Sequence, residues 1–93
     1  MAIHELKTDS RVFQATKAGI KRYELRKNDR SYRVGDTLIL KETQHCGADM
    51  AEFDFPLIYT GEEIQAKVNH ILYGPIYGLE AGWCIMNIEA VCD

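Results

Sequence analysis

Ninety-three residues, 46% apolar and 27% charged, fit one globular domain over residues 1–93, too short for two cores and too apolar for global disorder. No apolar run approaches the roughly 20 residues that span a bilayer, and Met1-Ala2-Ile3-His4-Glu5-Leu6-Lys7 lacks the basic-then-apolar order of a secretory signal. The cysteines, Cys46, Cys84 and Cys92, are odd in number and form no Cys-x-x-Cys pair, so free thiols in a reducing cytoplasm are expected.

The net charge of −3 conceals an asymmetry. Arg11, Lys17, Lys21, Arg22, Arg26, Lys27, Arg30 and Arg33 crowd into residues 11–33 against only Glu24 and Asp29. Residues 34–93 carry Lys41 and Lys67 against ten acids. An acidic whole argues against indiscriminate binding of nucleic acid. A local basic surface fits a targeted anionic ligand, and a solvated charged face explains it equally well.

In chain order, Ile3 to Lys7 alternates apolar and polar residues and reads as a first strand. Thr8-Asp9-Ser10 offers capping oxygens for a helix over Ser10 to Ala18, with Val12, Phe13 and Thr16 near one face and Gly19 as the residue that ends it. Arg22 to Lys27 reads as a strand with Tyr23 and Leu25 on one side and Arg22, Glu24 and Arg26 on the other. Asn28-Asp29-Arg30 and Val34-Gly35-Asp36 are turns flanking the way to a strand over Thr37 to Lys41. Residues 43–59 show no period and predict a long loop whose Phe53, Phe55, Leu57 and Ile58 need burial. Glu62 to Tyr73 is the clearest strand, with Ile64, Ala66, Val68 and Leu72 on one face and His70 in their register as a core histidine. Gly74-Pro75 and the 77–82 loop lead to a last strand from Trp83, itself expected in the core, to Val91. Short strands with glycine-rich turns predict a small barrel or strongly curved sheet.

The chemistry concentrates in Gly19-x-Lys21-x-x-Glu24-x-Arg26. Glu24 and Arg26, two apart on a strand, project to one face. A carboxylate between Arg22 and Arg26 orients both guanidinium groups. Arginine grips phosphate bidentately, and a glutamate accepts from an exocyclic amine such as that of cytosine. A surface ion pair contributing at most about 1 kcal/mol is the competing reading. Lys7, on a strand beside this one, adds to the same positive surface or is simply a solvated strand-end lysine. Arg30 reaches a phosphate from its turn, or the turn is only a turn. Tyr77, between glycines, is the best placed of Tyr59, Tyr73 and Tyr77 to stack on a base. His4, His45 and His70 match no zinc spacing, no glycine-rich phosphate loop is present, and neither metal nor cofactor is called for.

Taken in order, His4-x-Leu6-Lys7, Gly19-x-Lys21-x-x-Glu24-x-Arg26, Asn28-Asp29-Arg30, Val34-Gly35-Asp36, Tyr59-Thr60-Gly61 and Tyr77-Gly78-Leu79 resemble a small stand-alone bacterial or phage member of the ASCH (activating signal cointegrator homology) superfamily. That superfamily shares the PUA-like fold of RNA-binding domains. The resemblance implies an α+β, mainly β class: a PUA-like β-barrel of about five to six strands with one N-terminal helix beside a cleft lined by the Gly-x-Lys-x-x-Glu-x-Arg segment. It implies RNA or a modified nucleotide as partner, with Lys7, Lys21, Arg22, Glu24, Arg26, Arg30 and Tyr77 as the binding set. One branch of similar proteins is an amidohydrolase of N4-acylcytidine, using a lysine, a threonine three residues later and a distant glutamate. Lys21 matches that lysine, Glu24 stands at the threonine position, and Glu80 matches the glutamate only loosely. If the chain is such an enzyme, Lys21 and Glu24 are its catalytic pair. A third reading is a protein-interaction module that uses the aromatic 44–59 loop.

Overall fold

The structure, a computed structural model, describes residues 1–91; Cys92, the third expected free thiol, lies outside the described residues. Seven elements follow one another: β1 (Ile3–Asp9), α1 (Ser10–Lys17), β2 (Tyr23–Lys27), β3 (Thr37–Thr43), α2 (Gly47–Phe53), β4 (Tyr59–Tyr73) and β5 (Trp83–Ala90). The strands form one five-stranded sheet in the order β1-β3-β4-β5-β2. β1 runs parallel to β3, and every other pair is antiparallel. The class is α+β and mainly β as expected, with five strands and α1 as the N-terminal helix.

Period-2 alternation places the core on the inner, concave face. Leu6 of β1, Leu38 and Leu40 of β3, Ala66 and Val68 of β4, and Cys84, Met86 and Ile88 of β5 are all buried there. Phe13 of α1, 1% exposed, and Tyr32, 2% exposed, plug the concavity. Burying side chains of this size contributes roughly 1.5–3 kcal/mol each.

Polar anchors fix the plugs. Glu42, buried on the inner face of β3, accepts from Gln14 Nε2, Ser10 Oγ and Thr60 Oγ1, each at 2.8 Å. These bonds tie α1 to β3 and β4 and hold the Glu42 carboxyl below its ordinary pKa, against the opposing effect of burial. Burial alone would raise the pKa of Asp36. Hydrogen bonds from the Ala2 N–H, His4 Nε2 and the Arg33 N–H at 2.9, 2.9 and 3.0 Å outweigh it and hold that carboxyl low. His4 in turn meets the Tyr32 ring edge-on at 4.8 Å.

The sheet curls until its two edges, β1 and β2, face each other without pairing. Arginine side chains bridge the seam instead. Arg26 Nη2 donates to the Lys7 carbonyl at 3.1 Å, and Arg30 Nη1 donates to the Glu5 carbonyl at 2.9 Å. Unpaired edge carbonyls of β1 thereby gain partners that a further strand would otherwise supply.

Five local expectations are corrected. Residues 47–53 form α2 within the expected loop; the helix buries none of its residues, so no apolar period marked it. Phe53, Phe55, Leu57 and Ile58 are 57%, 43%, 45% and 40% exposed rather than buried. In β4 the pairing register shifts between Val68 and His70, which turns Ile71 into the core and leaves His70 exposed. The capping oxygens before α1 are used elsewhere: Asp9 Oδ1 accepts the Gly47 N–H at 3.0 Å, and Ser10 Oγ donates to Glu42. Trp83, expected in the core, is only half-buried. Among the described residues no helix is long and apolar enough to cross a membrane. Cys46 and Cys84 are free thiols, and burial pushes the Cys84 thiol up in pKa.

Candidate functional site

The cleft begins with how α1 ends. Gly19 adopts φ +78°, and its N–H donates to the Thr16 carbonyl at 3.0 Å while the Ile20 N–H donates to the Ala15 carbonyl at 3.0 Å. That paired closure needs a left-handed residue, which glycine supplies without a Cβ clash. It turns the chain sharply and delivers Lys21 to the entrance of β2.

β2 then presents an inverted polarity. Glu24 is 3% exposed and faces inward, whereas Tyr23 and Leu25 are 52% and 50% exposed. Lys21 Nζ donates to Glu24 Oε1 at 2.6 Å and also to the Tyr23 carbonyl, and lies 4.9 Å from the centre of the Tyr23 ring. Arg26 Nε donates to Glu24 Oε2 at 3.0 Å, and its Nη2 reaches Thr8 Oγ1 at 3.3 Å in addition to the Lys7 carbonyl. Both carboxylate oxygens are therefore engaged by cations from opposite sides. The expected pairing of Glu24 with two arginines is corrected: Lys21 takes the place of Arg22, whose Nε donates to the Gly19 carbonyl at 3.3 Å on the exposed side.

This trio floors a hollow of about 400 Å³. Lys7, Thr8 and Asp9 of β1 form one wall, Val12 of α1 closes one end, and Tyr23 and Leu25 complete the rim. A second hollow, about 440 Å³, continues along the seam past Arg26 and includes Lys7, Lys27, Asp29, Arg30, Tyr32 and Trp83. Of the binding set expected from sequence, Lys7, Lys21, Glu24 and Arg26 line the first hollow and Arg30 the second. Arg22 lines neither. Tyr77 stands 93% exposed on the 74–82 loop and also lines neither. Glu80 lines a smaller hollow with Leu25, Gly78, Leu79 and Trp83 rather than the Lys21 cleft.

Thr8, Asp9, Val12, Tyr23 and Leu25 were not singled out by sequence reasoning. The alternation of β1 held a signal for Thr8, since a strand that buries Leu6 also turns Thr8 inward. Tyr23 and Leu25 carried the opposite signal, because apolar residues on a half-buried strand ordinarily face the core. Among the described residues no group of three or more His, Cys, Asp or Glu side chains is placed to hold a metal ion.

A 35% identical match over 69 residues relates the chain to an uncharacterized 12.9 kDa protein in the GpA 3′ region of Escherichia phage P2. The match covers 74% of the chain and 53% of that relative, so the chain spans about half the relative's length. A family model, described as a domain of unknown function, matches residues 3–88, from the start of β1 to the inner face of β5, and the chain therefore belongs to the DUF3850 family.

Proposed function

We propose that the cleft over Glu24 binds RNA or a modified nucleotide, in a domain of ASCH type and PUA-like architecture. The observation that carries this reading is the inverted polarity of β2. A strand selected only for stability would bury Leu25 and expose Glu24. Buried ion pairs contribute little net stability, because desolvation offsets their attraction. A buried Glu24 held between the part-buried cations Lys21 and Arg26 at the floor of a cleft is instead suited to a polar ligand. Glu24 fixes the two cations, a base amine competes for a carboxylate oxygen, and Tyr23 offers a ring face beside the opening.

The test is fluorescence anisotropy with a pool of single-stranded RNA at low salt. Binding should weaken as salt rises, and Lys21→Ala should weaken it about tenfold or more while the circular dichroism spectrum stays that of the parent. Absence of binding by the folded parent protein would sink the proposal. Incubation with N4-acetylcytidine forms a second arm: turnover that Lys21→Ala abolishes would replace simple binding with the amidohydrolase reading.

A separate observation favours a protein contact elsewhere. Phe53, Phe55, Leu57, Ile58 and Tyr59 fall within seven residues and are each 40–57% exposed, with the Phe55 ring tilted against His45 at 4.6 Å and Phe53 at 5.5 Å between centroids. Residues 47–63 hold Asp49, Glu52, Asp54, Glu62 and Glu63 and no lysine or arginine. Such a patch suits a cationic amphipathic segment of a partner protein. Sedimentation with a Leu/Lys amphipathic peptide checks it: the parent should form a complex that Phe55→Ser loses, and equal behaviour of the two chains would dismiss the patch.

A further inference from the structure

The two hollows along the seam share Lys7, Leu25 and Arg26 but differ in charge. The first holds Lys7, Lys21 and Arg26 against Asp9 and Glu24, and two of its three cations already bond Glu24. The second holds Lys7, Arg26, Lys27 and Arg30 against Asp29 alone. Lys7 and Lys27 take part in no ion pair among the described residues, and Arg30 contributes a single Nη to the Glu5 carbonyl. Trp83 lies opposite Lys27 in the β2–β5 register and borders the same hollow.

We infer that the second hollow is a phosphate subsite, so that a nucleotide lies across the seam with its base over Glu24 and its phosphate ester among Lys7, Lys27 and Arg30. This rests on the nucleotide reading of the first hollow and specifies the ligand further. A nearly neutral pocket with a buried carboxylate suits an uncharged, amine-bearing base, whereas a pocket with four cations and one acid suits a phosphate dianion or diester. The junction of the two at Arg26 is where a ribose would pass. The Trp83 indole flanks the phosphate site on the side away from Glu24, where the next base of a strand would stack. The ligand class is thus a phosphorylated nucleoside rather than a free one. Its phosphate comes either from a mononucleotide or from the backbone of a strand.

Calorimetry with the four ribonucleosides and their monophosphates, alongside a single-stranded RNA oligomer titrated at several salt concentrations, tests the subsite. Lys27→Ala is the informative variant, because Lys27 is exposed on β2 and holds no ion pair in the fold. The parent should prefer monophosphates to nucleosides, and Lys27→Ala should shrink that preference without changing which base binds best. With the oligomer, Lys27→Ala should lower the salt slope by about 0.7, the value for one phosphate contact on a single strand. Mononucleotides and oligomer binding equally well would assign the phosphate to a mononucleotide; a gain of tenfold or more for the oligomer would assign it to a strand, and both outcomes support the subsite. Nucleosides binding as tightly as monophosphates, with an unchanged slope in Lys27→Ala, would overturn the subsite and leave the base cleft standing. No binding of any of these ligands by the parent would overturn the nucleotide reading itself.

Discussion

Glu24 is the residue on which the functional reading turns, and its surroundings set what its loss should do. Its carboxylate separates two cations, and the Lys21, Glu24 and Arg26 side chains are 11%, 4% and 25% exposed. Glu24→Ala leaves Lys21 and Arg26 facing each other without a counter-charge. The expected cost is about 3 kcal/mol, at the low end for breaking a buried pair because Arg26 is partly solvated. Replacing all three by Met, Leu and Met removes the desolvation cost together with the charges. That triple variant should unfold in denaturant at or above the parent's midpoint and still fail to bind RNA. A triple variant as unstable as Glu24→Ala would show that the trio serves the fold. The spacing of Glu24 and Arg26 was legible in the sequence because strand alternation fixes it. Lys21 belongs to the expected binding set, but its pairing with Glu24 was not legible, because it lies before β2, where the closure of α1 and not alternation aims its side chain.

At the scale of elements, α1 is the part that shapes the cleft without contributing the key charges. It is eight residues long, too short to persist without tertiary support, so its position depends on Phe13 and on the bonds to Glu42. Phe13→Ala should destabilise the protein by about 3–5 kcal/mol in chemical denaturation. A cost below about 1 kcal/mol would mean that α1 is not anchored through this ring. The helix was legible from its apolar spacing and from Gly19, and β2 and β5 from alternation; β1 was expected as a strand, though Ile3 and Leu6 fall on opposite faces and Ile3 is exposed. α2 was not, because a helix that buries nothing leaves no period. The bulge in β4 was not either: the sequence keeps alternating through His70 while the backbone inserts a residue and reverses which side chains face inward.

At the scale of the whole molecule, the sheet order explains why one seam collects the chemistry. β1 and β2 are the sheet's two edges, and α1 connects them directly. The basic 11–33 segment is that connection together with β2 and the turns that follow; four of its cations, Lys21, Arg26, Lys27 and Arg30, line the gap, while Lys17 pairs with Glu62 and Arg22 and Arg33 lie outside both seam hollows. The sequence asymmetry between a basic early segment and an acidic remainder becomes a spatial one. It separates the cationic seam from the acidic, aromatic α2 region, and Asp9, which lines the cleft and accepts the Gly47 N–H, is a direct bond between the two. The curved sheet was legible from short strands and turns; the unpaired seam was not, since it depends on Arg26 and Arg30 each reaching a carbonyl of β1 across the gap, which no local pattern shows. The most direct measurement of the central claim is a nitrogen–proton correlation spectrum of the labelled protein titrated with a short single-stranded RNA. Shifts should concentrate at residues 7–12 and 21–27 and trace the seam toward Arg30. Shifts absent there, or confined to residues 47–59, would contradict it.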